Sequence, residues 1–151
     1  MLKKIYVSQA YHSEHQIHLV RNAENIIRRK KIKLLIVDNI INHFLVEYQG
    51  RGALRQLRDS LRSHLTDLRR LTTIFSDLII VLINQVERRK DIFFGDPLIS
   101  LGEDVIAHAP TTRIYLRKGK GEQRIAKIIK SPYLPENEAF YTITSRGIRD
   151  A

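Results

Sequence analysis

The chain has 151 residues, 43% of them hydrophobic, and sets 26 Lys and Arg against 16 Asp and Glu for a formal net charge of +10. That length holds one domain with a real core, and that charge attracts polyanions, nucleic acid above all, or else forms a solvated basic surface. With no cysteine, disulfides and thiolate chemistry are excluded; no apolar run reaches membrane-spanning length, the amino terminus lacks a secretory apolar region, and a cytoplasmic location is the default.

Lys4–Ser8 reads as a short strand, with Ile5 and Val7 alternating. Tyr11–Lys31 reads as a helix. Ser13 is its expected N-cap, with Gln16 three residues on as in a capping box. Ile17, Val20, Ala23, Glu24 and Ile27 follow helical spacing, and Arg28, Arg29, Lys30 and Lys31 place cations at the carboxyl end, where the helix dipole favours them. In Lys33–Asp38 (KLLIVD) four consecutive apolar residues suit a strand buried on both faces of a parallel sheet. Strand, helix and strand in this order suggest a parallel pair with a crossover. Asp38 stands at the carboxyl end of its strand, the edge at which open α/β sheets bind ligands. A carboxylate there can hold the Mg²⁺ of a nucleotide triphosphate, because magnesium prefers hard oxygen ligands; the same pattern also suits an Asp that caps a turn.

Residues 39–52 read as a loop containing Tyr48-Gln49-Gly50-Arg51-Gly52, whose glycines permit unusual backbone angles. A long helix spans Ala53–Phe75, with Leu54, Leu57, Leu61, Leu65, Leu68, Leu71 and Phe75 as its apolar stripe. Arg55, Arg58, Arg62 and Arg69 fall within an arc of about 60° on a neighbouring face, which suits phosphate contact or plain solvation. Asp77–Asn84 reads as a second buried strand. Residues 85–104 show little periodicity and include Arg88, Arg89, Lys90, Phe93, Phe94 and Gly102. Arginines mixed with phenylalanines fit a surface that holds phosphates and stacks bases, as well as a surface loop or one buried against a partner. Arg113–Lys118 and Arg124–Lys130 alternate about Gly119-Lys120-Gly121, a β-hairpin. Ser131–Pro135 is irregular, Ala139–Thr144 is a last strand and Gly147–Ala151 a tail. The six histidines lack zinc spacing with cysteine; His64 lies near the apolar stripe and reads as packed, while His15 and His18, three apart, leave a minor metal alternative. Paired carboxylates, a nucleophile elbow, a dinucleotide fingerprint and GxxxxGK[ST] are all absent from the sequence.

KLLIVD, HFLVEYQGRGAL, INQV, FFGDP, RIYLRKGKG, RIAKII, SPYLPENEA and the closing GIRD, with the HQ of His15-Gln16, together resemble archaeal RadA, the RecA-type strand-exchange recombinases. The resemblance runs from about Ile5 to Asp150 and covers the carboxyl-terminal half of the ATPase core. It implies an α/β fold: half of a RecA-like P-loop core, with parallel strands and crossover helices followed by an antiparallel hairpin and a final strand. By resemblance Asp38 matches the Walker B acid that helps hold Mg²⁺, and Gln85 the glutamine that senses the γ-phosphate and opens the second DNA-binding loop. EYQGRGAL matches the first DNA-binding loop, with Arg51 at its DNA-contacting arginine between Gly50 and Gly52 and Arg55 just beyond. Arg89 matches the basic residue after the glutamine, in a loop that also holds Arg88, Lys90 and Phe94. Lys130–Glu136 match the segment capping ATP bound by a neighbouring subunit, with Pro135 against adenine.

The departures from that family are specific. The P-loop and the water-activating glutamate have no counterpart, so ATP and Mg²⁺ would bind only in an assembly that supplies them, and at least one sheet edge should be unpaired. Asn39 replaces the usual serine after the Walker B acid, Leu45 an arginine, Glu103 a glycine, and Asp104 a histidine. Lys130 replaces a cation-holding aspartate and would bring its own positive charge to the γ-phosphate. The implied partners are single-stranded DNA and a RadA-type subunit or a split amino-terminal half, with no membrane. The implied function is recombinational DNA repair with a shared ATP site; the alternative is a non-catalytic paralogue that binds DNA or caps a recombinase filament. A nucleic-acid-binding domain unrelated to recombination would match the charge but not the ordered motifs.

Overall fold

A computed structural model describes residues 4–50, 52–88 and 98–151, the side chains of 87, 88, 98–100, 103 and 104 excepted. The first helix, α1 (Ser13–Lys30), starts one residue earlier in its capping than the sequence suggests. His12 is the N-cap, with extended backbone, and its Nδ1 accepts from the His15 N–H at 3.2 Å. Ser13 is already helical, and its hydroxyl donates elsewhere. The cationic carboxyl end forms as expected; Lys31 turns left-handed at φ 53° and its N–H returns to the Ile27 carbonyl. Val20 and Ile27 are buried. Residues 5–10 form no strand: Val7 is 86% exposed, and no described strand pairs with this segment. Alternation alone does not make a strand without a ladder partner.

β1 (Leu34–Asp38) leads through α2 (Asn42–Glu47) and α3 (Leu54–Ile74) to β2 (Ile79–Ile83). The parallel pair is therefore β1 with β2, crossed by α2 and α3, and not the first segment with β1. Its register runs from Leu34 opposite Ile79 to Asp38 opposite Ile83. A Lys33–Asp77 ion pair and the Ile79 N–H to Lys33 carbonyl bond (2.9 Å) close one end; the Ile40 N–H to Ile83 carbonyl bond (3.0 Å) extends the other. α2 is a helix where a loop is expected. Asn39 Oδ1 accepts from the Ile41 N–H at 3.0 Å and turns the chain, and Phe44 then buries fully.

α3 buries Leu57, Leu61, Leu65, Leu68 and Leu71 as the stripe predicts, while Leu54 stays exposed. It lies against α1, with Arg21 to Asp67 at 2.7 Å and Arg70 to Glu24 at 3.5 Å. The expectation that both strands are buried on both faces fails. Leu34, Ile36, Ile79, Val81 and Ile83 form one exposed apolar face, with Leu34 50% and Ile79 64% exposed. Alternate residues point to opposite sides of a sheet, and the described helices cover one side.

The irregular stretch after β2 holds more structure than its composition suggests. β3 (Val86–Arg88) pairs antiparallel with β4 (Leu98–Ser100), and the short α4 (Glu103–Ile106) follows against α3. Between them, Gly102 has φ 65°, and a Cβ there would stand 2.5 Å from Cδ1 of the fully buried Ile41.

The chain divides into two compact units, Met1–Ala107 and His108–Ala151. The second is an antiparallel meander: β5 (Arg113–Lys118), β6 (Gln123–Lys130), β7 (Glu138–Thr144) and β8 (Gly147–Asp150). The hairpin falls where the sequence places it. The supposed tail is β8, returned by a turn in which Gly147 has φ 99° and the Thr144 hydroxyl donates to the Gly147 carbonyl at 2.9 Å. Ile114, Leu116, Ala126, Ile128, Ala139, Ile143 and Ile148 share one face by register, and Arg117, Lys127 and Glu138 share the other. Among the described residues no helix is long and apolar enough to cross a membrane.

Gly102→Ala should destabilise the first unit by roughly 1–3 kcal/mol, chiefly through a left-handed residue that now carries a Cβ, with the buried Ile41 Cδ1 obliged to shift as well. A lower urea midpoint with an unchanged m-value is the expected result.

Candidate nucleotide and DNA site

The register of β1 and β2 brings two candidate residues to one edge. Asp38 ends β1 opposite Ile83, and Gln85 lies two residues beyond Ile83; both are exposed. The exit from β2 is held to the returning chain by Asn84 Nδ2 donating to the Leu101 carbonyl at 2.8 Å and by the Leu101 N–H donating to the Gln85 carbonyl at 3.0 Å. An exposed carboxylate and an exposed amide thus share the carboxyl edge of a parallel pair. Asp38 fits a magnesium ion that takes most of its oxygens from nucleotide and water. Among the described residues no cluster of three or more His, Cys, Asp or Glu side chains could hold a metal by itself. The alternative at His15 and His18 finds no support: His18 Nε2 pairs with Asn22 Nδ2 at 2.8 Å, and the His15 ring stacks on Tyr11.

The first loop candidate leaves from α2. Gly50 has φ 91°, a conformation that favours glycine, and its carbonyl accepts from the Ala53 N–H at 3.2 Å to close the turn into α3. Gly52 is exposed, and a Cβ there would meet nothing. Arg55 projects into solvent, 3.8 Å from Asp59. In the second loop candidate, Arg88 ends β3 by its backbone. Arg51, Arg89, Lys90 and Phe94 lie outside the described residues.

Lys130 and Pro135 belong to the second unit. Lys130 ends β6, and its Nζ donates to the Pro110 carbonyl at 3.2 Å. Pro135 is exposed in the turn between β6 and β7. The Ser131 hydroxyl oxygen organises that turn, accepting from the Tyr133 and Leu134 N–H groups at 3.2 Å each.

Two contacts around this site are not legible in the sequence. Gln16 Nε2 donates to the Ile40 carbonyl at 3.1 Å and reaches Nε2 of the fully buried His64 at 3.2 Å, with Phe44 against the same imidazole. Burial pushes the His64 pKa down to about 4; Asp67 opposes that and Arg21 adds to it. Glu47, the last residue of α2, accepts from both the backbone N–H (2.6 Å) and the hydroxyl of Ser13. Desolvation pulls its carboxyl up, but the two Ser13 bonds and the nearby His12 and His43 outweigh that and hold it below the usual range. The adjacent Ser13 and Gln16 are visible as a helix start; their long-range acceptors have no local signal.

The Rad51 family profile matches residues 1–151. The chain belongs to the Rad51 family. The DNA repair and recombination protein RadA of Aeropyrum pernix is 41% identical over 150 residues, 99% of this chain and 47% of that relative. The chain therefore spans about half the length of the relative it matches. Rad51-family membership accords with the RadA-type resemblance and with the mixed α/β architecture of parallel pair and antiparallel meander.

His64 gives a pH signature for this packing. Its folded pKa lies below its ordinary value, so as pH falls from about 6.5 towards 4 the unfolded chain takes up the proton first. Stability should be complete above about 6.5 and fall by up to ~3 kcal/mol on the way to pH 4. His64→Gln should flatten that slope in urea titrations at pH 5 and 7, even if it lowers stability at both.

Proposed function

We propose that this chain acts in recombinational DNA repair as a RadA-like subunit that binds single-stranded DNA and supplies half of an ATP site. Asp38 would hold the magnesium of a bound nucleotide and Gln85 would sense its γ-phosphate. Gly50–Gly52 with Arg51 and Arg55, and the segment carrying Arg88, Arg89, Lys90 and Phe94, would meet DNA. Lys130 and Pro135 would cap ATP held by a neighbouring subunit in the cytoplasm. The observation that carries this reading is the shared edge of Asp38 and Gln85, from which one loop leaves directly through β3 and the other after α2.

Phosphoryl transfer depends on positioning and electrostatic stabilisation, and the sequence has no P-loop to cradle the phosphates. A P-loop would therefore have to come from outside these 151 residues, and the exposed apolar face of β1 and β2 supports a further covering element there, because parallel sheets are ordinarily covered on both sides. The second reading is a non-catalytic paralogue that binds DNA or caps a recombinase filament. Leu45, Asp104 and Lys130, all departures from the family, favour it.

A salt series of single-strand binding, with and without ATP and a P-loop-bearing RadA, tests both. The chain alone should bind single strands with a steep salt dependence and hydrolyse no ATP. Arg51→Ala should weaken binding and reduce the log–log salt slope by about one, the signature of one lost phosphate contact. Turnover by the purified chain that Asp38→Ala abolishes would overturn the half-site. ATP-dependent co-assembly favours the shared site; DNA binding indifferent to ATP favours the paralogue.

A further inference from the structure

The stretch between Asp38 and the first loop is held at both ends by a single turn of α1. At its start, Gln16 holds the Ile40 carbonyl. At its end, Ser13 gives two hydrogen bonds to the Glu47 carboxylate from 34 residues away. The first N–H groups of a helix have no partner within the helix, and its N-terminus favours a negative charge. His12 Nδ1 takes the His15 N–H, and Glu47 takes that of Ser13. Hydrogen bonds to a carboxylate are the stronger kind, and the Ser13 donor is fully buried. Tyr48 follows Glu47 directly, so whatever fixes Glu47 fixes the root of the loop.

We propose that Glu47 is a positioning residue: its contact with Ser13 locks the root of the first loop to the helix that also grips the chain just past Asp38. It touches neither DNA nor nucleotide. By resting on the assignment of this loop to DNA, the proposal also makes α1 the common anchor of the nucleotide edge and the DNA loop.

The test uses the full chain with Glu47→Gln, Ser13→Ala and Ser13→Thr, and reads backbone amide exchange without DNA and then single-strand binding over a salt series. Glu47→Gln and Ser13→Ala should speed exchange at residues 13, 48 and 53, whose N–H groups are hydrogen-bonded, by roughly tenfold or more. Both should weaken single-strand binding several-fold with the salt slope unchanged, because no phosphate contact is lost. Ser13→Thr keeps a hydroxyl and should stay close to the wild type on both readouts. Arg51→Ala is the contrast: a reduced slope with exchange at residue 13 unaltered. Unchanged exchange in Glu47→Gln overturns the lock. Faster exchange with unchanged affinity overturns the positioning role. If the wild type binds no single strand, the DNA assignment fails, and the exchange data by themselves decide for or against the lock.

Discussion

Two parallel strands in register decide which of the candidate residues come together. The pairing of Leu34–Asp38 with Ile79–Ile83 carries two segments more than forty residues apart to a common edge and delivers Asp38 and Gln85 there together. A parallel pair needs a crossover, and α2 with α3 provides it. The first loop lies inside that crossover, between α2 and α3, and the fully buried His64 sits midway along α3. The fold is thus a way of mounting a small polar edge on a helical base, and each candidate loop begins within a few residues of an element the base holds down.

The Rad51-family assignment and the geometry bear on different questions. Sequence similarity over nearly the whole chain says what the parts descend from. The structure says how the first unit arranges them: it presents an acid and an amide to solvent at one edge. In the second unit, Lys130 already donates to the Pro110 carbonyl, so a role near a phosphate would require it to exchange that acceptor for a better one. In the turn that follows it, organised by the Ser131 hydroxyl, Tyr133, Leu134 and Pro135 are exposed.

Strong periodicity made parts of this fold legible. Seven leucine-or-phenylalanine positions at helical spacing predict α3, where five of them are buried, and alternation about Gly119–Gly121 predicts the β5–β6 hairpin, although Ile114 and Leu116 stay exposed. The failures share a cause as well. Ser13 looks like a cap because its acceptor, Glu47, is invisible from the local sequence. Lys4–Ser8 alternates like a strand but has no partner to bond. α2 is six residues in an apolar run without a cap signal, and β8 is recognisable only through the left-handed turn at Gly147. Its place at a strand end made Asp38 a candidate and the family motif added Gln85, but their meeting at one edge is a matter of register, and register is long-range information.

The uncovered side of the β1–β2 pair has one more consequence. Leu34, Ile36, Ile79, Val81 and Ile83 offer water an apolar patch, with Asp38 at one end of the strand pair and the exposed Lys33–Asp77 ion pair at the other. With this face open, the polypeptide would tend to stick to itself, and its +10 charge would be the principal force keeping copies apart. Colloidal behaviour would then hinge on ionic strength: salt that loosens the grip on DNA would also remove the repulsion that keeps the molecules dispersed.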